Sequence, residues 1–366
     1  MLQQRPYKIC LVGDLLAGGG AERVHALLSI FFQNNGLEVY NVIVQDCVEY
    51  AFAGQLLNLG LLKDNGNGLF NRLRRFRVLR SYIRKNEFDY IIDFRMRKKP
   101  LQDLLLSRLV FTRPTIYTVH SAKLHWYFPK ERWLARLIYA KAFGIVAVAD
   151  QVKWLIESHY APGNLKVINN PLNIEAIARM AAANNPLQGT RYIIAVGRLY
   201  NEIKQFDKLI RAYAQSTLPA AGIKLVLVGQ GKDEANLKQL SAQLGMQGRV
   251  IFEGYAQNPY VYMANAYCLV LCSRVEGFPM VLAEALACGT PVIAFDSFSG
   301  ASDIVQHKKN GLLVAGQDFN ALSMAMEQMA LNETFRTACA SEAAKSVQHL
   351  AIENIGRQWL RYLKIS

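Results

Sequence analysis

Residues 268–304, CLVLCSRVEGFPMVLAEALACGTPVIAFDSFSGASDI, constrain the fold more than any other part of the chain. Residues 268–272 are a short apolar run, long enough for one buried strand. A polar loop follows over 273–278. Pro279 then suits the first turn of a helix, where its missing N–H costs nothing. Residues 280–288 are helical by length and composition, and Gly289 stops the helix at the left-handed position beyond its end. Residues 290–295, TPVIAF, make a second buried strand. A strand–loop–helix–strand unit of this kind belongs to a parallel sheet. Its loop opens at the carboxyl ends of the strands, where α/β proteins bind ligands.

The helix carries one charge, Glu284, among Met, Val, Leu, Ala and Cys. Such a helix is buried, and a carboxylate on it needs a hydrogen-bonding partner. Glu276 stands eight residues earlier, at the mouth of the loop. Between the two acids lie the backbone N–H groups of Phe278, Met280 and Val281 at a helix start, which favours an anion. The set suits a ligand with hydroxyls at both ends and phosphate between them, as in a nucleotide sugar. Spacing alone equally allows Glu284 to pair with a core arginine and Glu276 to be a solvated loop charge.

Glu276-Gly277-Phe278-Pro279 followed by Glu284 resembles the Glu-x7-Glu signature of retaining glycosyltransferases of the GT-B fold, family 4. The continuation, AEALACGTPVIAFDSFSGASDIV and then NGLLV, is similar almost position by position, with Asp303 where a Glu is more usual. The resemblance implies that Glu276 meets the hydroxyls of the transferred sugar and Glu284 the nucleotide ribose. It implies that residues 276–281, from Glu276 and Gly277 through Val281, line the donor site.

The chain has 366 residues, room for two domains with cores of their own. Its balance is basic, with net charge +14 and pI near 9.5, which favours an anionic partner: a phosphate-rich ligand, nucleic acid or an acidic lipid surface. No 18-residue apolar run occurs, and the N-terminal residues open directly into a strand, so neither a membrane span nor a signal peptide is expected. The six cysteines lie mostly in apolar segments without CxxC spacing and read as reduced core residues. The histidines form no ligand pair and no Asp-x-Asp occurs. No metal site is expected, which argues against the metal-dependent GT-A class.

Residues 7–13 form a first strand, and Gly18-Gly19-Gly20 lead into an amphipathic helix over 21–32. Strand, glycine loop and helix together can cradle a phosphate, although three glycines also make a plain flexible turn. The string GGGAERV resembles family-4 enzymes of lipid-linked bacterial glycan assembly, which implies that Gly19 and Gly20 face an interdomain cleft. Residues 37–44 are a second strand, and 46–69 are irregular, with a turn-rich DNGNG at 64–68. Residues 70–85 carry seven basic side chains and no acid. Phe70, Leu73, Phe76, Leu79 and Ile83 recur at helical spacing as an apolar stripe, with Arg74, Arg77, Arg80 and Arg84 on other faces. So many like charges on one helix point to an anionic partner. A strand over 90–94 is followed by a basic loop, 95–99, containing Arg95 and Arg97. His120 ends a strand over 115–120, and the family carries a donor-contacting His at this place. Trp126, Tyr127 and Phe128 are a lid, a membrane-facing lip or ordinary packing. About six strands complete this half, and 169–172, NNPL, are the crossover to the next.

The second half restarts the pattern. Arg198 follows a strand over 192–196, and Lys204 begins the next helix, a spacing suited to clamping a diphosphate. The pair resembles the family's Gly-Arg-x5-Lys. Tyr255, after a strand over 249–254, is a candidate for the nucleotide base. The last helix, with Trp359 and Tyr362, is expected to cross back onto the first domain.

The resemblance thus implies two Rossmann-like domains facing each other across a cleft: 1–170 for the acceptor, 171–349 for the donor, with about 350–366 returning to the first. It implies metal-independent retaining transfer of a hexose or N-acetylhexosamine from a nucleotide sugar, UDP-linked, with no cofactor. Glu276, His120, Arg198 and Lys204 are the expected catalytic residues. Arg77, Arg80, Arg84, Arg95 and Arg97 are expected to hold an anionic glycan or polyprenyl-diphosphate-linked acceptor. The expected location is cytoplasmic, peripheral on anionic lipid of the inner membrane face. Two rivals are a nucleic-acid-binding protein using 70–85, which leaves Glu276 and Glu284 without a purpose, and a phosphorylase or epimerase on the same fold.

Overall fold

A computed structural model of the chain describes residues 5–63, 68–296 and 300–365, apart from the Leu69 side chain. Residues 64–67 of the expected DNGNG turn, and 297–299 within the 268–304 stretch, lie outside the described residues. The chain divides into two compact units, Met1–Pro171 with Ile352–Ser366, and Leu172–Ala351.

The first unit is built on strands β1 (Lys8–Gly13), β2 (Glu38–Ile43), β3 (Gln55–Asn58), β4 (Tyr90–Asp93), β5 (Thr115–Val119), β6 (Gly144–Ala147) and β7 (Leu165–Val167). They form one parallel sheet in the order β3-β2-β1-β4-β5-β6-β7. Its central strands are apolar runs because helices cover both faces, which leaves Ile9, Leu11, Ile91, Ile116 and Val146 with almost no exposure. Strand β3 is one more than the sequence suggested. Its four residues, QLLN, are too short and half exposed to show a period, and only pairing with β2 makes them a strand. The C-terminal helix Ile352–Tyr362 belongs to this unit and packs on helix Gly20–Asn34. Gly356 permits that contact, since a Cβ there would collide with the Phe31 ring.

The second unit carries β8 (Tyr192–Val196), β9 (Lys224–Val228), β10 (Val250–Gly254), β11 (Leu269–Leu271), β12 (Val292–Asp296) and β13 (Gly311–Ala315). All pair in parallel, in the order β10-β9-β8-β11-β12-β13. Tyr213, Phe295, Leu322 and Met326 are among the side chains that fill its core. In each sheet the strand order reverses once, between β1 and β4 and between β8 and β11. Loops leaving two such neighbours diverge to opposite faces and open a crevice, so the loops after β8 and β11 are where a ligand site is expected.

Candidate active site

Strand β8 ends at Val196 and runs through Gly197-Arg198-Leu199-Tyr200 into a single helical turn, Asn201–Lys204. Its neighbour β11 leads through residues 272–279 into helix Met280–Ala287. The two loops are fastened to each other. Arg274 N donates to Ile203 O at 2.8 Å, and Cys272 Sγ donates to Lys204 O at 3.1 Å. Asp233 Oδ2 accepts from Asn201 N at 2.8 Å and fixes the start of the turn. Gly229 and Gly231, beyond β9, press backbone to backbone on Gly197 and Leu199, where a Cβ would collide with the carbonyl oxygens.

That scaffold brings Lys204 to Glu276. Lys204 Nζ donates to Glu276 Oε1 at 2.7 Å, with both side chains about four-fifths buried (20% and 18% exposed). Charge-assisted bonds of this length are the strong class. Eight residues on, Glu284 is 6% exposed, and the Tyr260 hydroxyl donates to its Oε1 at 3.4 Å. Asn258 Oδ1 accepts from Tyr260 N at 3.2 Å, at the entry to the short helix Tyr260–Ala264. Gly277, Phe278 and Pro279 are buried, while Met280 and Val281 are half-buried. Of the three amides expected to face an anion, that of Met280 is committed to Phe278 O at 2.9 Å. Arg198, in the loop between β8 and the turn that carries Lys204, is exposed, Tyr255 is 65% exposed after β10, and Asp303 is half-buried.

Tyr260, Asn258 and Asp233 were not singled out by the sequence, and nothing in their spacing marks them. Ser273 was missed as well. Its Oγ is buried at the head of the β11 loop, with no hydrogen-bond partner among the described residues.

In the first unit His120 follows β5, and its Nε2 lies 3.0 Å from Thr118 Oγ1. Burial, aided by the Arg97 guanidinium, pushes its pKa down to about 3, with the Asn170 side chain pulling the other way. The imidazole is therefore neutral at physiological pH. Gly19 caps helix Gly20–Asn34, and the Glu22 carboxylate folds back over it, where a Cβ on Gly19 would collide. The helix start expected to cradle a phosphate thus carries an acid of its own, as first helical turns favour.

The expected acceptor arginines divide. Arg77 and Arg84 are exposed on helix Leu69–Asn86, while Arg80 is half-buried, its Nε without a hydrogen-bond partner among the described residues. The apolar stripe is covered only at its end: Leu79 and Ile83 are buried, while Phe70 is 90% and Leu73 43% exposed. Arg95 and Arg97 are not loop cations reaching outward. Arg95 pairs with buried Asp93 through two bonds of 2.8 and 2.9 Å. Arg97 is 3% exposed and donates to Tyr139 Oη, Arg95 O and Thr118 O at 2.9, 3.0 and 2.7 Å. The rings of Tyr117, Tyr127 and Tyr139 enclose its guanidinium at 5.2, 5.2 and 5.8 Å. Burial alone would lower the pKa of Arg95, but Asp93 beside it raises it instead. The exposed cations of this loop are Lys98 and Lys99. Tyr127 and Phe128 are core residues, and Trp126 lies under Lys98 and Lys123 at 4.7 and 5.0 Å, so these aromatics are packing and form no lid.

Two family models lie end to end on the chain. "Glycosyltransferase Family 4" matches residues 18–176, and "Glycosyl transferases group 1" matches 177–346. A Campylobacter jejuni relative, N-acetylgalactosamine-N,N'-diacetylbacillosaminyl-diphospho-undecaprenol 4-alpha-N-acetylgalactosaminyltransferase, is 28% identical over 95% of this chain and 97% of its own. The amylovoran biosynthesis glycosyltransferase AmsD of Erwinia amylovora is 24% identical over 96% and 98%. Among solved structures, Anabaena HepE in complex with UDP and glucose superposes with a TM-score of 0.80 at 21% identity, covering 98% of this chain and 99% of that one. That likeness shows the fold, GT-B. Between them the two models show the chain to be a glycosyltransferase, with a Glycosyltransferase Family 4 domain over residues 18–176 and a Glycosyl transferases group 1 domain over 177–346.

Proposed function

We propose that the chain is a retaining transferase that moves a hexose or N-acetylhexosamine from a UDP-sugar to a lipid-diphosphate-linked glycan in bacterial surface-glycan assembly. The observation that carries this reading is the Lys204–Glu276 pair at the switch point of the second sheet, with Glu284 buried about one turn into the helix Met280–Ala287 that follows. It is supported by the Campylobacter relative, whose name specifies a diphospho-undecaprenol acceptor, and by HepE, solved with UDP and glucose.

Glu276 orients the transferred sugar through its hydroxyls, and Glu284 holds the ribose. Arg198 and Lys204 stabilise the leaving diphosphate, a role that elsewhere falls to a metal ion and that usually dominates catalysis. The bond from the anomeric carbon to the β-phosphate oxygen breaks, and the acceptor oxygen attacks the same face. The departing phosphate takes the acceptor's proton, so no protein nucleophile, metal or cofactor is required. His120, neutral, accepts from or donates to a sugar hydroxyl without competing for that proton. Arg77, Arg80 and Arg84 handle the anionic acceptor together with Lys98 and Lys99, which take the part expected of Arg95 and Arg97. The enzyme works peripherally on the inner face of the membrane, and nucleic acid is not a partner.

A thermal-shift screen with UDP, GDP, UDP-sugars and oligonucleotides tests the donor class, and turnover with an undecaprenyl-diphosphate glycan tests the acceptor. Stabilisation by UDP and transfer to that acceptor with retained anomeric configuration are expected. Stabilisation by oligonucleotides alone, or an inverted product, would overturn the reading.

A further inference from the structure

Helix Pro100–Leu105 continues without a break into a π turn, Leu106–Val110, closed by Phe111 N donating to Leu106 O at 2.8 Å. Leu106, Ser107 and Val110 point inward, while Leu101, Leu105 and Leu109 are 74%, 51% and 41% exposed. Residues four apart drift round an α-helix, and the wider π turn counters the drift, so the three leucines stay in one row. Helix Arg132–Tyr139 packs beside this segment, and Arg108 Nη2 donates to Leu137 O at 2.6 Å. It turns Leu134, Ala135 and Ile138 inward and presents Trp133 and Leu137, 63% and 43% exposed, again four residues apart. Two neighbouring helices therefore each hold an exposed apolar row, which monomeric soluble proteins seldom leave on the surface.

The segment that carries these rows is strongly basic. Residues 98–141 contain nine Lys and Arg against two acids, Asp103 and Glu131, and Asp103 is buried. Arg132 and Arg136 flank Trp133 on the same helix and are exposed. An exposed tryptophan flanked by arginines, beside a row of exposed leucines in a basic segment, is the chemistry of an interfacial surface. The apolar groups enter the acyl boundary, while the cations reach lipid phosphates. Each such cation near anionic lipid adds attraction that salt screens. We propose that the face formed by Leu101, Leu105, Leu109, Trp133 and Leu137 docks the first unit on an anionic lipid bilayer. This deepens the reading of a lipid-linked acceptor, and it assigns the insertion to these two helices rather than to the basic helix Leu69–Asn86, whose arginines remain available for the acceptor.

The test uses the full chain with vesicles of phosphatidylglycerol and phosphatidylethanolamine, and with neutral phosphatidylcholine vesicles. Wild type should float with the anionic vesicles. The Leu105→Glu/Trp133→Glu double variant should lose at least tenfold in partitioning, while Met324→Glu, at an exposed apolar position of the second unit, should bind as wild type does. Arg132→Gln/Arg136→Gln should weaken anionic binding and flatten its salt dependence. Brominated acyl chains should quench tryptophan fluorescence in wild type and much less in Trp133→Phe, a change that adds no charge and keeps the fold. Equal partitioning of the double variant, or quenching indifferent to Trp133→Phe, overturns the proposal. So does a wild type that ignores vesicles but self-associates through this face. Transfer to a water-soluble acceptor should be the same in wild type and the double variant. Loss of transfer in both would sink the functional reading while leaving the vesicle result standing.

Discussion

Glu276 Oε1 and Lys204 Nζ lie 2.7 Å apart although 72 residues separate them in the chain. Strands β8 and β11 are neighbours, and the loops that leave them are tied through Arg274 N to Ile203 O and Cys272 Sγ to Lys204 O. The pair thus sits on backbone held from both sides, and neither charge is left alone in a mostly buried place. In the proposed mechanism a diphosphate that draws on Lys204 has to share it with Glu276, the carboxylate proposed to orient the sugar, so the two binding events would be coupled through this one hydrogen bond.

That coupling is measurable. Glu276→Gln and Lys204→Ala should each lower turnover strongly, and the double variant should lose far less than the product of the two. A double-mutant cycle on kcat/KM should give an interaction energy of about 1–3 kcal/mol, as contacting residues do. Strictly multiplicative losses would mean that the two side chains act independently in the working enzyme.

Glu284 predicts a different pattern. Its place in a buried helix, with the Tyr260 hydroxyl on Oε1, is set by groups that do not depend on the sugar. Glu284→Gln should weaken UDP itself about tenfold or more, since a hydrogen bond to a charged group is worth about 1.5–3 kcal/mol. Glu276→Gln should leave UDP affinity nearly intact. Calorimetric titration with UDP separates the two, and equal affinities for both variants and wild type would remove Glu284 from the site.

The strand–loop–helix units around β8 and β11 could be read from the chain because glycines and Pro279 punctuate apolar runs there. Glu284 could be read as buried because its helix has no other charge. Arg95 and Arg97 could not. A sequence displays their charge, while their partners Asp93, Thr118 and Tyr139 come from three different segments. Lys204 and Glu276 were each identified, but their pairing depends on strand order. Strand β3 was missed because pairing, rather than its residues, makes it a strand. The exposed row at Leu101, Leu105 and Leu109 looks in sequence like any helical apolar stripe, and only burial tells which side faces out.

Asp93 holds the buried arginines in place. It is 0% exposed, bonds Arg95 twice and lies 3.7 Å from Arg97 Nη1. Asp93→Asn leaves two buried cations short of their counter-charge and should cost about 3–5 kcal/mol of stability. Urea denaturation should show a lower midpoint with an unchanged slope. A loss within about 0.5 kcal/mol, the size of an ordinary surface substitution, would mean that the tyrosine cage suffices for Arg97 and water reaches Arg95.

Under the proposed mechanism Arg198 and Lys204 supply the positive charge at the leaving diphosphate, so chelation should leave turnover untouched. Among the described residues no group of three or more His, Cys, Asp or Glu is placed to hold a metal ion. The informative comparison is EDTA-treated wild type against Arg198→Ala, which should lose at least tenfold. Activity abolished by EDTA and restored by manganese would assign the diphosphate to a metal instead.

The first unit should also set the acid limit of the protein. His25 is fully buried, with Nε2 3.0 Å from Asn41 Oδ1 and its ring stacked on Phe94. Burial pushes its pKa down to about 4, and that of His120 to about 3. Both start from 6.5 in the unfolded chain, so the unfolded state binds protons first as pH falls. Their contribution is complete above pH 6.5 and is lost progressively as pH drops toward about 4 and then about 3. Asp103 runs the other way. Burial raises its pKa to about 6 from 3.8, so its contribution is present in acid and is lost as pH rises through about 6. Burial raises Asp14 in the same sense as Asp103, though by less. The two histidines outweigh the two carboxyls between about pH 6.5 and 4.5, where each tenfold drop in an imidazole's proton affinity on folding corresponds to about 1.4 kcal/mol. Melting temperature should therefore fall steadily across that window. His25→Gln, which lacks the ionisable ring, should melt lower than wild type at about pH 7.5 but lose less on acidification. A wild-type melting temperature that is level from about pH 7 to pH 4.5 would show that water reaches these imidazoles and that their burial does not govern the acid limit.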